Sequence, residues 1–114
     1  MNKEWKEKWI AALRSGEYVQ GKKVLRNGKD EFCCLGVLCD LFVKEGKLEE
    51  PVQTMSGHTY EGAIVILPES VALTAGLSSC EGFYESRRRS RNLMYDNDSG
   101  KTFLEIADII EENF

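Results

Sequence analysis

Apolar residues recur at helical spacing near both ends of the chain. Trp5, Trp9 and Leu13 fall at i, i+4 and i+8, with Ile10 and Ala12 alongside. Lys3, Lys6, Glu7, Lys8 and Arg14 fill the other faces, which predicts an amphipathic helix over Lys3 to Ser15. Gly16 follows as a left-handed C-terminal cap. Over Thr102 to Asn113 a second stripe is formed by Phe103, Ile106, Ala107 and Ile110, opened by Thr102 and Glu105 as a capping box. Between them the run Cys33 to Val43, CCLGVLCDLFV, is too long and unbroken for an edge strand. Cys34, Leu38, Leu41 and Phe42 share one helical stripe there, so a buried helix ended by Gly46 is expected. Gly36 inside it costs about 1 kcal/mol relative to Ala, so a second backbone or a ligand is expected to approach closely at that point.

The remaining elements are short. Lys22 to Arg26 and Lys29 to Phe32 flank Asn27-Gly28, the dipeptide of a type I′ turn, and predict a small hairpin. Glu45 to Tyr60, with Pro51, Gly57 and the sole histidine His58, reads as loop or weak strands. The β-branched Ile64, Val65 and Ile66 favour a strand over Ala63 to Leu67. Pro68 then leads a short helix that Gly76 stops. Ser78 to Asn92 reads as loop. The sum is one α+β, mainly helical domain over residues 1–114, with three main helices around one core, a short hairpin and small strands.

Composition narrows the function more than the fold. With 114 residues there is no room for two domains closing on a substrate. Fifteen Lys and Arg against nineteen Asp and Glu give a net charge of -4, which argues against nucleic acid as partner and confines any phosphate binding to a local patch. No apolar run reaches the roughly 18 residues of a membrane span, and the charged start MNKEWKEKW lacks a signal core, so the expectation is a cytoplasmic protein without a membrane partner. In that compartment Cys33, Cys34, Cys39 and Cys80 are expected as free thiols buried as small hydrophobes.

Several chemical motifs fail on context. Gly16 to Lys23 matches GxxxxGK, but Lys23 stands where a P-loop needs Ser or Thr, and a helix precedes it where a strand belongs. The cysteines contain no CxxC pair and the chain has one histidine, so neither a metal nor a cofactor is expected. His58 could pair with a thiol, yet cysteines in apolar sequence are poor nucleophiles. Asp96, Asn97 and Asp98 lack the alternation of a calcium loop and read as a polar turn capping the last helix. Arg87, Arg88, Arg89 and Arg91 are the densest charge feature. Four guanidiniums in five residues suit phosphate or carboxylate oxygens, with a solvated loop paired to Glu105, Asp108, Glu111 and Glu112 as the alternative.

The blocks Tyr18-Val-Gln20-Gly21, Cys33-Cys34-Leu-Gly36-Val-Leu38-Cys-Asp40-Leu41 and Asn97-Asp98-Ser-Gly100-Lys-Thr-Phe103-Leu-Glu105-Ile106-Ala107-Asp108 resemble an uncharacterised family of small phage, prophage and bacterial proteins. The resemblance implies a small, mainly helical cytosolic domain carried by mobile elements, and it transfers no catalytic residue. Gln20, Gly21, Gly36, Asn97 and Asp98 combine amide, carboxylate and bare backbone beside Trp9, Tyr18 and Phe103, which makes them candidate ligand-binding residues together with the four arginines. Their alternative role is to satisfy loop and helix-end backbone. Three function classes remain open. One is a phage-type accessory protein that binds a nucleotide-type small molecule and sequesters a host immune signal. Another is an inhibitor of a host protein through the acidic surface, and the third is a small hydrolase using Asp98 or His58. A homo-oligomer is left open.

Overall fold

The computed structural model describes all 114 residues, in the order α1 (Lys3–Arg14), α2 (Cys34–Lys44), β1 (Val52–Thr54), β2 (Gly57–Thr59), α3 (Glu69–Ala75), β3 (Phe83–Ser86), β4 (Arg89–Asn92), α4 (Leu93–Asp98) and α5 (Phe103–Asn113). The three helices read from the apolar stripes are present within a residue at each end. Two shorter ones, α3 and α4, raise the number to five.

Each long helix forms for a local reason and is then buried along its stripe. The Asn2 side chain accepts the Trp5 N–H at 3.0 Å to start α1, and Gly16 at φ 77° lets the chain turn away after it. Thr102 and Glu105 close the expected capping box on α5. Helix α1 packs against α2 on one side and, most extensively, against α5 on the other. Its Trp5 ring stacks on Phe42 of α2 with centroids 3.9 Å apart. Trp9 is fully buried and donates its indole N–H to the Cys34 carbonyl at 2.9 Å. Trp9, Leu38 and Ile106 therefore lie in one continuous cluster of 26 buried residues. Burying a side chain such as Phe42 contributes about 1.5–3 kcal/mol.

Two antiparallel two-stranded sheets flank this core, with Val52 opposite Thr59 in β1–β2 and Tyr84 opposite Arg91 in β3–β4. The β1–β2 pair lies within Glu45 to Tyr60, where loop or weak strands were expected, but the other short elements differ from expectation. Residues 22–32 form no hairpin. The Asn27 side chain accepts the N–H groups of Lys29 and Glu31 at 2.9 and 3.0 Å, and the turn closes at Asp30 (φ 59°), so Asn-Gly here makes an Asx-type loop. Phe32 is left with isolated bridges to Gln20 and Arg26. Residues 63–67 are not a strand either: Ile64 gives its carbonyl to the Leu25 N–H at 2.8 Å, while Val65 and Ile66 are partly exposed. No neighbouring strand lies there to extend the pairing. Conversely, residues 83–92, expected as loop, are a complete hairpin whose two-residue connection is Arg87-Arg88.

Candidate functional site

The candidate residues separate into two groups. Gln20, Gly21, Gly36, Asn97 and Asp98 meet where the loop after α1 crosses the starts of α2 and α5. The Gln20 amide donates to Asn97 Oδ1 at 2.9 Å and to the Lys101 carbonyl at 2.8 Å, and its oxygen accepts the Phe103 N–H at 3.1 Å. Asn97 is fully buried. Its oxygen also accepts the Cys34 N–H at 3.1 Å, and its nitrogen donates to the Gly21 carbonyl at 2.9 Å and to Asp98 Oδ1 at 3.2 Å. The same Asp98 oxygen takes the Lys23 N–H at 2.9 Å.

The Cys34 and Phe103 N–H groups are first-turn donors that their own helices cannot satisfy. Asn97 and Gln20 satisfy them from a distance, and Asn97 has all four of its hydrogen-bonding positions occupied by protein atoms. The close approach expected at Gly36 is that of the Leu25 backbone: a Cβ added there would lie 1.8 Å from the Leu25 oxygen. The aromatic neighbours are also engaged. Phe103 is buried and Tyr18 donates its hydroxyl to Asp40. This group is a polar latch closed on the chain's own backbone.

The second group is the β3–β4 hairpin. Arg87 and Arg88 have φ of 52° and 64°, the left-handed conformation at both central positions of a type I′ turn. For a side chain larger than Gly or Asn this costs roughly 1–2 kcal/mol per residue. None of Arg87, Arg88, Arg89 and Arg91 enters an ion pair. The arginine side chains that donate hydrogen bonds are Arg14 and Arg26. No acid of the last helix forms an ion pair with the run: Asp108 and Glu111 bind Arg14 at 2.7 and 3.2 Å, Glu105 is held in the capping box, and Glu112 lines the same cleft as Arg87 and Arg91 without pairing to either. Arg87 and Arg91 instead join Lys101, Ser86, Tyr84 and Glu112 around a cleft of about 270 Å³ between the hairpin and α5. A second cleft of about 230 Å³ lies along β4 and the start of α4, lined by Arg89, Ser90, Arg91, Asn92, Tyr95 and Asp96. Arg91 belongs to both.

The base of the hairpin is fastened down while its tip is free. Tyr84 is buried, packs its ring against Phe114 with centroids 5.6 Å apart, and donates its hydroxyl to the buried carboxylate of Asp96. Burial, and then the Asp96 carboxylate, hold that hydroxyl protonated well above the ordinary tyrosine range. Tyr84 and Lys101 line the first cleft without having been singled out in the sequence, and Glu112 had been named only as an acid that could pair with the run. In the structure exposed Phe83 and Glu85 flank buried Tyr84, but Phe-Tyr-Glu-Ser does not alternate apolar and polar residues, so the sequence carried no strand signal there.

The sequence of the whole chain, residues 1–114, matches one family profile. The chain belongs to the family described as a domain of unknown function, DUF8296. No curated protein and no solved structure matches it.

In this member of DUF8296 the nucleophile candidates lie away from the clefts. Burial pushes the Cys33 thiol up to about 11 and those of Cys34 and Cys39 well above their usual range, so all three are protonated near neutrality. Cys80 is partly exposed, and burial raises it as well. His58 is buried on β2, gives its backbone N–H to the Arg26 carbonyl at 2.8 Å, and has Nε2 4.0 Å from Asp30. It lines none of the clefts. Asp96, Asn97 and Asp98 are not a surface turn: they form the end of α4, with Asp96 and Asn97 buried. No helix is long and apolar enough to cross a membrane.

Proposed function

We propose that this protein is a small non-enzymatic binding protein that holds a phosphate-bearing, nucleotide-type molecule between the arginine hairpin and α5. The observation that carries this reading is the set of four guanidiniums that form no ion pair, two of them lining a cleft of about 270 Å³ together with Lys101. Forked guanidinium donors match phosphate oxygens in pairs, and charge-assisted hydrogen bonds are about twice as strong as neutral ones. Glu112 and Ser86 in the same cleft suit hydroxyl groups of a sugar. Protonated thiols and a histidine remote from the clefts favour binding without turnover. With the phage-type blocks around Gln20-Gly21, Cys33 to Leu38 and Asn97 to Asp108, the biological version is capture of a nucleotide-derived immune signal in the host cytoplasm. Inhibition of a host protein through the acidic face is weaker, because Asp108 and Glu111 are already engaged by Arg14.

The test is retention and release. The protein is incubated with mono-, di- and cyclic nucleotides, washed, and heated. Intact ligand recovered from wild type is the expected result, and altered ligand would identify an enzyme. Replacing all four arginines by Gln should weaken binding by at least about 1.5 kcal/mol, with a loss that shrinks as salt rises. Retention that is unchanged in the quadruple variant across salt would overturn the assignment to the hairpin.

A further inference from the structure

The two clefts that share Arg91 differ in chemistry. The first is lined by three cations, Arg87, Arg91 and Lys101, and one acid, Glu112. The second adds Tyr95, whose residue surface is 66% exposed although it sits on a helix against the core. The Tyr95 ring takes part in none of the aromatic pairs, which join Trp5 to Phe42, Tyr18 to Phe32 and Tyr84 to Phe114. The backbone that carries the ring is anchored, because the Asn92 side chain accepts the Tyr95 N–H at 2.7 Å and Tyr84 ties the hairpin to Asp96 next door. An uncovered aromatic ring held beside unpaired guanidiniums is what stacking a nucleobase requires, since every base offers a flat face and arginine adds a cation–π contribution.

Resting on the phosphate-binding reading above, we infer that the ligand is a nucleotide gripped at both ends, its phosphates between Arg87, Arg91 and Lys101 and its base on Tyr95, with Arg91 at the junction. A bare polyphosphate would use only the first cleft. The inference therefore goes beyond anion binding and assigns Tyr95 as the residue that distinguishes nucleotides from phosphate.

Titration calorimetry with ADP, GDP and inorganic pyrophosphate on wild type, Tyr95→Ala, Tyr95→Phe and Arg87→Gln/Arg91→Gln separates the two layers. Base stacking is worth about 1–3 kcal/mol, so Tyr95→Ala should weaken ADP and GDP by roughly 5- to 150-fold and leave pyrophosphate within about twofold. Tyr95→Phe should bind as wild type, because it keeps the ring. The double arginine variant should weaken all three probes. If Tyr95→Ala left the nucleotides unchanged while the arginine variant weakened them, the stacking assignment would fall and the phosphate reading would stand. If wild type bound none of the three probes, both would fall. A Tyr95→Ala variant that weakened pyrophosphate equally would show that Tyr95 only shapes the hairpin, and would also overturn the inference.

Discussion

The latch at Gln20 and Asn97 and the hairpin at Arg87 to Arg91 treat polar groups in opposite ways. Around Asn97 every donor and acceptor meets protein, and the residue is fully buried. Around Arg87 and Arg88 nothing is met, and the backbone holds two bulky residues in a conformation that suits Asn-Gly. A buried amide with complete partners is a component of stability. An unpaired guanidinium cluster on a costly turn is unexplained by stability, and such outliers concentrate at sites that bind or switch. The contrast assigns the two strongest polar features of the sequence to different tasks, although both were candidates for one pocket.

The sharpest attack on the latch side is steric. Gly36→Ala places a Cβ 1.8 Å from the Leu25 oxygen, so α2 and the loop must separate. The expected loss is about 4 kcal/mol or more, at the upper end for single substitutions, measured by urea unfolding. Asn97→Ala strips partners from Gln20 and from the Gly21 carbonyl and Cys34 N–H at once. At about 1–3 kcal/mol for each stranded buried group, a loss of about 3 kcal/mol is expected in the same assay. Neither change touches an arginine. A mild Asn97→Ala variant with lost ligand binding would move the site back to the latch.

Alkali provides a third contrast. The folded Cys33 thiol titrates at about 11 against 9.0 when unperturbed, so its contribution is fully present below about pH 9 and is lost as the pH rises through 11. Thermal melts over that range should report about 2 kcal/mol of destabilisation, diminished in Cys33→Ala. The smallest effect has the opposite sign: Arg88→Gly relieves the φ of 64° and should stabilise the fold by about 1 kcal/mol. If Arg88→Gly were destabilising, the turn would be held by contacts of the arginine itself and the contrast would fail.

What could be read in advance depended on whether the cause was local. The stripes of α1, α2 and α5, their caps, and the close contact at Gly36 follow from spacing and residue type alone. Asn27-Gly28 misled because the Asn27 side chain captured two N–H groups within its own loop, which left no pairing for strands. Ile64 to Ile66 carried strand propensity without a partner strand. The arginine hairpin was hidden for the converse reason: its turn residues violate turn chemistry, and its strands are exposed on most positions. At the candidate site, the arginine run was visible as charge. Whether acids in α5 would neutralise it depended on Arg14, more than seventy residues away in sequence, having taken Asp108 and Glu111 first.

The pairing of α1 with α5 has a kinetic side. Arg14 meets Asp108 across 94 residues, and Lys6 reaches the Glu111 carbonyl across 105. Closing a loop that long costs on the order of 4 kcal/mol in chain entropy before the contacts formed can offset it. The face that α1 turns to α5 has no lasting cover until that helix arrives. Assembly is therefore expected to be all-or-none, with a slow search for the final helix.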